Sequence, residues 1–335
     1  MFRMSIALSI VGLVGLTAGC GTPSFLVTPV SSSHELREEV VQPGKGWNSD
    51  KIAVISVEGM LSDSKSGGLL QPTENPLSKF KQELDKAADD DRVKAVVLRV
   101  NSPGGTVTTS DTMYQLVLRF RKNTGKPVVA APQEVAASGA YYICCACDKI
   151  VAHPTSLVGS IGVIFNRIDV SDGLDKLGIV VDAIHSGTLK DMGSPFKHPS
   201  PLEAVVMQEM VTDYFGRFEN IVKTSRPVTE QPPPPDQKQQ SDYKGIYSGR
   251  VFSGEQAVKL GLADQTGLLD DAIDVARKMA KAPHASAILY ERPYGYGGSI
   301  YATGSTPMPE ANVLQLNLPE SRAFLPAGFY YLWEP

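Results

Sequence analysis

Apolar, β-branched runs recur along the chain at intervals that leave room for one helix between them. "KIAVISV" begins at Lys51, "KAVVLRV" at Lys94, "KPVVAA" at Lys126, "DKIVAH" at Asp148 and "GIVVDAI" at Gly178. None shows the strict apolar–polar alternation of a strand with one wet face, so each predicts a strand buried on both sides. Helical patterns fill the intervals. "NPLSKFKQELDKAADD" offers Asn75 as a cap and Pro76 in the first turn, and "TVTTSDTMYQLVLRFRKN" and "SGAYYICCAC" follow the next two strands. "SPLEAVVMQEMVTDYFGRFENIVKTS" opens with a capping-box pair, Ser200 and Glu203, and sets Val206, Met210, Tyr214, Phe218 and Ile221 along one face of a long helix. "SGEQAVKLGLADQTGLLDDAIDVARKMAKA" predicts two short helices, the first capped by Ser253 with Gln256. Strands alternating with helices predict an α/β domain whose mainly parallel sheet is covered on both faces.

The pattern fails at both ends and once in the middle. Residues 1–20, "MFRMSIALSIVGLVGLTAGC", carry one positive charge at Arg3 and then 16 uncharged residues from Met4 to Gly19, a secretory signal pattern. "LTAGC" resembles the lipobox of bacterial lipoproteins, which implies lipidation at Cys20; an ordinary cleaved signal and a retained anchor helix are the alternatives. Lipidation predicts a chain anchored to a membrane outside the cytoplasm, in the periplasm or on the outer face of the cytoplasmic membrane, and the two alternatives likewise send the chain out of the cytoplasm. Residues 21–50 are polar and aperiodic and read as a tether, 225–247 with "QPPPPDQKQQ" as an exposed loop, and 283–335 as a tail of undetermined structure. The 335 residues, 42% of them hydrophobic, suffice for a sizeable core. A net charge of -4 without a basic block excludes the electrostatic footprint of a nucleic-acid binder.

Several residues could carry chemistry. In "VLRVNSPGGTVTTS" a strand is expected to end at Val100, a tight Ser-Pro-Gly-Gly turn to follow and a helix to start near Thr106, which places Gly104 and Gly105 where unpaired backbone N–H groups gather. Such donors can stabilise an oxyanion. Ser138 in "AASGAYY" sits where a strand meets a helix, either as an N-cap or as a nucleophile. The G-x-S-x-G elbow is absent, because Ala136 and Ala140 flank Ser138. His34, His153, His185, His198 and His284 form no triad pattern, which leaves a lysine as the candidate base. Lys190, in the Gly- and Ser-rich "HSGTLKDMGSPFKHP", fits if it is dry enough to be neutral; bringing a lysine from ~10.4 to ~7.5 takes about 4 kcal/mol. Ser160 in "TSLVGSIGVIF" is the hydroxyl chosen to orient it. Cys144, Cys145 and Cys147 invite a redox or metal reading, but their C-x-x-C lies a turn and a half past Ser138 and no second ligand cluster follows. They are expected to be buried hydrophobes.

"VNSPGG", "AASGAYY", "DKIVAHPTSLVGSIGVI", "SGTLKDMGSPF" and "SGRVFSGEQAVKLGLAD", in this order, resemble the motifs of the signal peptide peptidase A family of serine-lysine peptidases over residues 51–282. The resemblance implies a ClpP/crotonase-type fold, with Ser138 as nucleophile, Lys190 as general base, Ser160 orienting the lysine, and the amides of Gly105 and Gly139 forming the oxyanion hole. It implies short apolar peptides such as released signal peptides as substrates and no cofactor. It also implies a homo-oligomeric ring whose sites take serine and lysine from neighbouring subunits. Ala140, where relatives commonly have Gly, and the cysteine trio depart from the pattern. A catalytically silent lipid-anchored scaffold on the same fold is the competing reading, and a crotonase-type acyl-CoA enzyme a fold-level one.

Overall fold

The computed structural model describes residues 36–45, 50–64, 75–229, 245–291 and 328–333. Residues 1–20 with Cys20, and the proline-rich "QPPPPDQKQQ", lie outside them. In chain order the elements are β1 (Arg37–Gln42), β2 (Lys51–Leu61), α1 (Pro76–Asp89), β3 (Val93–Thr106), α2 (Val107–Thr124), β4 (Val128–Ala137), α3 (Gly139–Cys144), β5 (Lys149–Ala152), β6 (Leu157–Gly159) and β7 (Ile164–Asn166). There follow α4 (Ser171–Lys176), α5 (Pro201–Ser225), β8 (Val251–Ser253), α6 (Gly254–Lys259), β9 (Gln265–Thr266), α7 (Leu269–Met279), β10 (Ser286–Glu291) and β11 (Gly328–Leu332).

The central order is β1-β10-β2-β3-β4-β5-β9, parallel from β10 to β9 with β1 antiparallel at one edge. This is the mainly parallel α/β sheet that the continuous apolar runs require. Alternate residues of one strand serve different cores, as a period of two dictates. Val96, Leu98 and Val100 of β3 join the layer under α1, α2, α3 and α5, whereas Ala95 and Val97 face Leu269, Ala272, Ile273 and Ala276 of α7. Full burial of a Leu or Ile contributes roughly 1.5–3 kcal/mol, so Leu269 and Ile273 fasten α7 to the sheet. The caps form as expected: Asn75, Ser200 and Ser253 each accept an amide of the first turn, and Gln256 completes the box at α6. At α5 the box is half made, because the Glu203 carboxylate turns to Lys197 instead of the cap amide.

Three expectations are corrected. Arg37–Gln42, expected within a tether, is a strand on β10, and β10 itself is fully buried. The "SPGG" segment is no tight turn: β3 runs extended through it to Thr106, because Met60 and Leu61 pair with Gly104 and Gly105 on one side and β11 pairs on the other. The helix then starts where expected, with Thr106 as its cap. "GIVVDAI" forms no strand, and Val180 and Ile184 are 86% and 102% exposed. A β-branched run makes a strand only where a partner edge is available, and no strand among the described residues pairs with that segment.

Candidate active site

The parallel strands β3 and β4 end side by side, with Ser102 opposite Ala136, and the residues just beyond them build the site. Asn101 Oδ1 accepts the Val135 amide at 3.2 Å where the β3–β4 register slips. Ser102 Oγ donates to the Gly59 carbonyl at 2.6 Å and accepts the Gly104 amide at 3.1 Å, fixing the bulge at Gly59 in β2. The polar pair of "VNSPGG" therefore shapes backbone, and the glycines are left to approach their neighbours closely. A Cβ on Gly104, whose φ is 101°, would stand 2.1 Å from the Tyr331 carbonyl oxygen and 2.7 Å from the Gly139 amide nitrogen. One on Gly105 would stand 2.0 Å from the Leu61 carbonyl oxygen. Gly104→Ala is accordingly expected to cost about 1–3 kcal/mol from backbone strain alone, with the clash added to it. It should appear as a lowered melting temperature together with lost activity.

Ser138 alone turns the chain from β4 into α3, at φ 52° and ψ −117°. Side chains with a Cβ rarely adopt this region, and strain of this kind collects at functional positions. Its amide donates to the Gly159 carbonyl at 2.7 Å, which brings it beside Ser160. Ser160 also has positive φ, 51°, and its amide donates to the Arg250 carbonyl at 2.9 Å. Among the described residues three non-glycines have positive φ, and two of them are these serines. The hydroxyl of Ser138 makes no cap bond; it is buried, 1% exposed, without a hydrogen-bond partner. An unmade hydrogen bond at a buried hydroxyl costs about 1–3 kcal/mol, so this serine is not there to stabilise the fold.

The tyrosines after Ser138 lock α3. Tyr141 donates to the Leu262 carbonyl at 2.9 Å, and Tyr142 to Asp111 Oδ1 at 2.6 Å, where Arg217 also binds. Ala140, the departure from the family pattern, is fully buried. Cys144, Cys145 and Cys147 are free and buried; burial pushes all three thiols up, Cys145 to about 11, so they are poor thiolates. No group of three metal-ligating side chains occurs among the described residues.

Lys190 is not brought to Ser138 within one chain: it is exposed, and no hydrogen bond joins the two. The segment around it is nevertheless ordered by charge. Lys197 binds Asp191 at 2.7 Å and Glu203 at 2.6 Å, and Arg167 binds Asp169 at 2.9 Å. His198 reaches Asp169 at 2.9 Å and Asp172 at 3.1 Å, and these carboxylates hold its imidazole above the ordinary histidine range. That contribution is complete below about pH 6.5 and is lost as pH rises through the elevated value. A cleft of about 580 Å³ opens beside Ser160, lined by Ile161, Val163, Phe215, Leu332 and Trp333 among others. The sequence reading missed β11 as part of this site. The run "GFYYL" after a glycine was its one local signal, an apolar aromatic strand too short to place by itself.

Several known proteins are similar to this chain. Residues 120–283 match peptidase family S49. A protein of Enterococcus faecium named for signal peptide peptidase SppA is 36% identical over 259 residues, covering 77% of this chain and 72% of that one. A protein of Methanocaldococcus jannaschii named as a protease is 35% identical over 224 residues, covering 66% of this chain and 68% of that one. The chloroplastic serine protease SPPA of Arabidopsis thaliana is 30% identical over 236 residues; the match takes in 70% of this chain and 33% of that longer relative.

Proposed function

Because the chain belongs to the SppA group of peptidase family S49 and is a serine peptidase, we propose that Ser138 is its nucleophile and Lys190 its general base, acting on short apolar peptides such as released signal peptides. The observation that carries this reading is the state of Ser138: strained, buried, capping nothing, and set where the backbones of Gly104 and Gly139 meet. Its Oγ attacks the scissile carbonyl carbon while neutral Lys190 takes the proton. The amides of Gly105 and Gly139 hold the oxyanion, and one such donor is worth roughly 3 kcal/mol in the transition state. Lys190 then protonates the leaving amine, and Lys190, neutral again, deprotonates the water that resolves the acyl-enzyme. Ser160, beside Ser138, orients the lysine.

Lys190 needs a dry environment, and its segment is exposed in the isolated chain, with Leu177, Val180 and Ile184 turned to solvent. Several exposed apolar side chains gathered in one segment are what an interaction site offers a partner. A neighbouring copy supplies the cover, in a homo-oligomeric ring that unites serine and lysine across each contact. Residues 1–20 direct the chain out of the cytoplasm, and a lipid at Cys20 holds it on the membrane near its substrates.

A fluorophosphonate probe applied to the assembled protein tests the reading. Mass mapping is expected to find one adduct per chain, on Ser138, lost with peptide hydrolysis when Lys190 is replaced by alanine. An unlabelled Ser138 in a particle that hydrolyses peptides would overturn it, and no labelling with no hydrolysis would favour the silent scaffold.

A further inference from the structure

We infer that Ser110 is a positioning residue of the oxyanion hole: packed behind the two amides assigned to that hole, it sets the distance between them. The inference rests on the active-site reading above and adds to it the side chain that holds the two donors in register.

The donors belong to different elements. Gly105 lies near the end of β3 and Gly139 opens α3, with α2 and β4 between them in the chain, so their separation is a matter of packing. On one flank Gly104 closes on Gly139: a Cβ on Gly104 would lie 2.7 Å from the Gly139 amide nitrogen. Against the α-carbon of Gly139 stands Ser110, in the first turn of α2 and 0% exposed. A Cβ on Gly139 would lie 2.2 Å from Ser110 Oγ and 3.1 Å from Ser110 Cβ. The same Oγ donates to the Thr106 carbonyl at 2.9 Å, and Thr106 is the residue that follows Gly105. One hydroxyl oxygen thus ties itself to the residue next to one donor and bears on the α-carbon of the other.

Ser110 does little for its own helix. Serine is a weaker helix former than alanine, and a hydroxyl bonded back to the fourth carbonyl before it tends to bend a helix. Alanine would suit α2 better, but it would leave an oxygen-sized gap against Gly139. The bond to Thr106 fixes the rotamer, which keeps Oγ in that gap. The next residue grips α3 again further along: Asp111 Oδ1 accepts the Tyr142 hydroxyl at 2.6 Å and Arg217 Nη2 at 2.7 Å, and the Tyr114 ring meets Tyr142 edge-on at 5.1 Å. With α3 held at Tyr142, the freedom left to its first residue is what Ser110 removes. Oxyanion donors act at about 2.7–3.1 Å from the charge that develops, so a small drift of the Gly139 amide weakens the transition state more than the bound substrate. The signature of the role is a fall in kcat with KM nearly kept.

The test uses the assembled full-length protein. Ser110→Ala should lower kcat for a fluorogenic peptide by about tenfold or more, leave KM within about twofold and keep the melting temperature. Affinity for a peptide aldehyde, whose adduct with Ser138 carries the tetrahedral oxyanion, should fall by the same factor as kcat/KM. Gly139→Ala alone drives its Cβ into Ser110 Oγ and should lose activity and melting temperature together. Ser110→Ala combined with Gly139→Ala gives that Cβ the vacated space; the nearest atoms left to it are the Cβ at position 110 and the Tyr331 carbonyl oxygen, both at 3.1 Å. The pair should regain about tenfold or more in kcat over Gly139→Ala alone, a coupling that residues in contact show. Unchanged kcat in Ser110→Ala, or a pair that fails to recover kcat, overturns the inference. So does a drop in melting temperature with kcat and KM altered together, which is what a residue serving only packing would give. Hydrolysis that survives Ser138→Ala removes the active-site reading and this inference with it, whereas hydrolysis lost with Ser138 and untouched by Ser110→Ala removes this inference alone.

Discussion

Ser138→Ala is expected to lower kcat/KM for peptide hydrolysis by at least about 10⁴-fold, because the nucleophile of such a machine cannot be replaced by binding and an oxyanion hole alone. The same substitution should leave the protein as stable as before or more so. Two costs are attached to Ser138 in the folded state. Its hydroxyl is buried without a partner, and alanine removes that desolvation penalty of about 1–3 kcal/mol. Its backbone lies at φ 52°, a strain that alanine retains and that glycine relieves, at an expense of about 0.5–1 kcal/mol in unfolded-chain entropy. Both Ser138→Ala and Ser138→Gly should therefore melt at or above the parent temperature while hydrolysing nothing. A serine kept for structure would behave in the opposite way: its loss would lower the melting temperature and spare the activity. Thermal denaturation beside a peptide assay separates the two, and a clear drop in melting temperature with activity retained would refute the role given to this residue.

How far the sequence alone specifies each element depends on the range of the interactions that form it. Buried strands were legible because burial on both faces demands unbroken apolar runs, and "KAVVLRV" or "KPVVAA" can satisfy few other environments. Helix starts were legible because a cap is a local bond; Asn75, Ser200 and Ser253 each complete theirs within three residues. Conformation at "VNSPGG" was not legible, since the choice between a turn and an extended strand is made by Leu61 and Tyr331, partners distant in sequence. "GIVVDAI" fails for the related reason that strand propensity reports a fit to neighbours rather than a preference of the backbone. The aromatic strand β11 escaped because five residues carry too little periodicity to be assigned, although Phe329 and Tyr331 pack on Phe165, Tyr214, Tyr142 and Phe218. Caps and apolar runs are thus set locally, whereas long-range pairing decides what surrounds Ser138.

Lys190→Ala should be as damaging as loss of the serine, and Lys190→Arg should not rescue it, because a guanidinium does not give up its proton in a protein. The more discriminating result comes from mixing. Preparations carrying Ser138→Ala and Lys190→Ala, each inactive, are dissociated, combined in equal amounts and reassembled. In a head-to-tail ring every contact takes serine from one copy and lysine from the next, so random mixing restores an intact pair at about a quarter of the contacts. Activity near that fraction of the parent is the expected outcome, and it should vanish when either variant is replaced by the double substitution. The exposed apolar run from Leu177 to Ile184 supplies an internal control. Charged substitutions at Val180 and Ile184 should block both reassembly and rescue while leaving the fold of the single chain intact, since these side chains stand open to solvent within it. Were serine and lysine to meet inside one chain, no mixture of the two variants would recover activity; neutrality of the lysine would then have to come from its own chain, around a residue that chain leaves open to water.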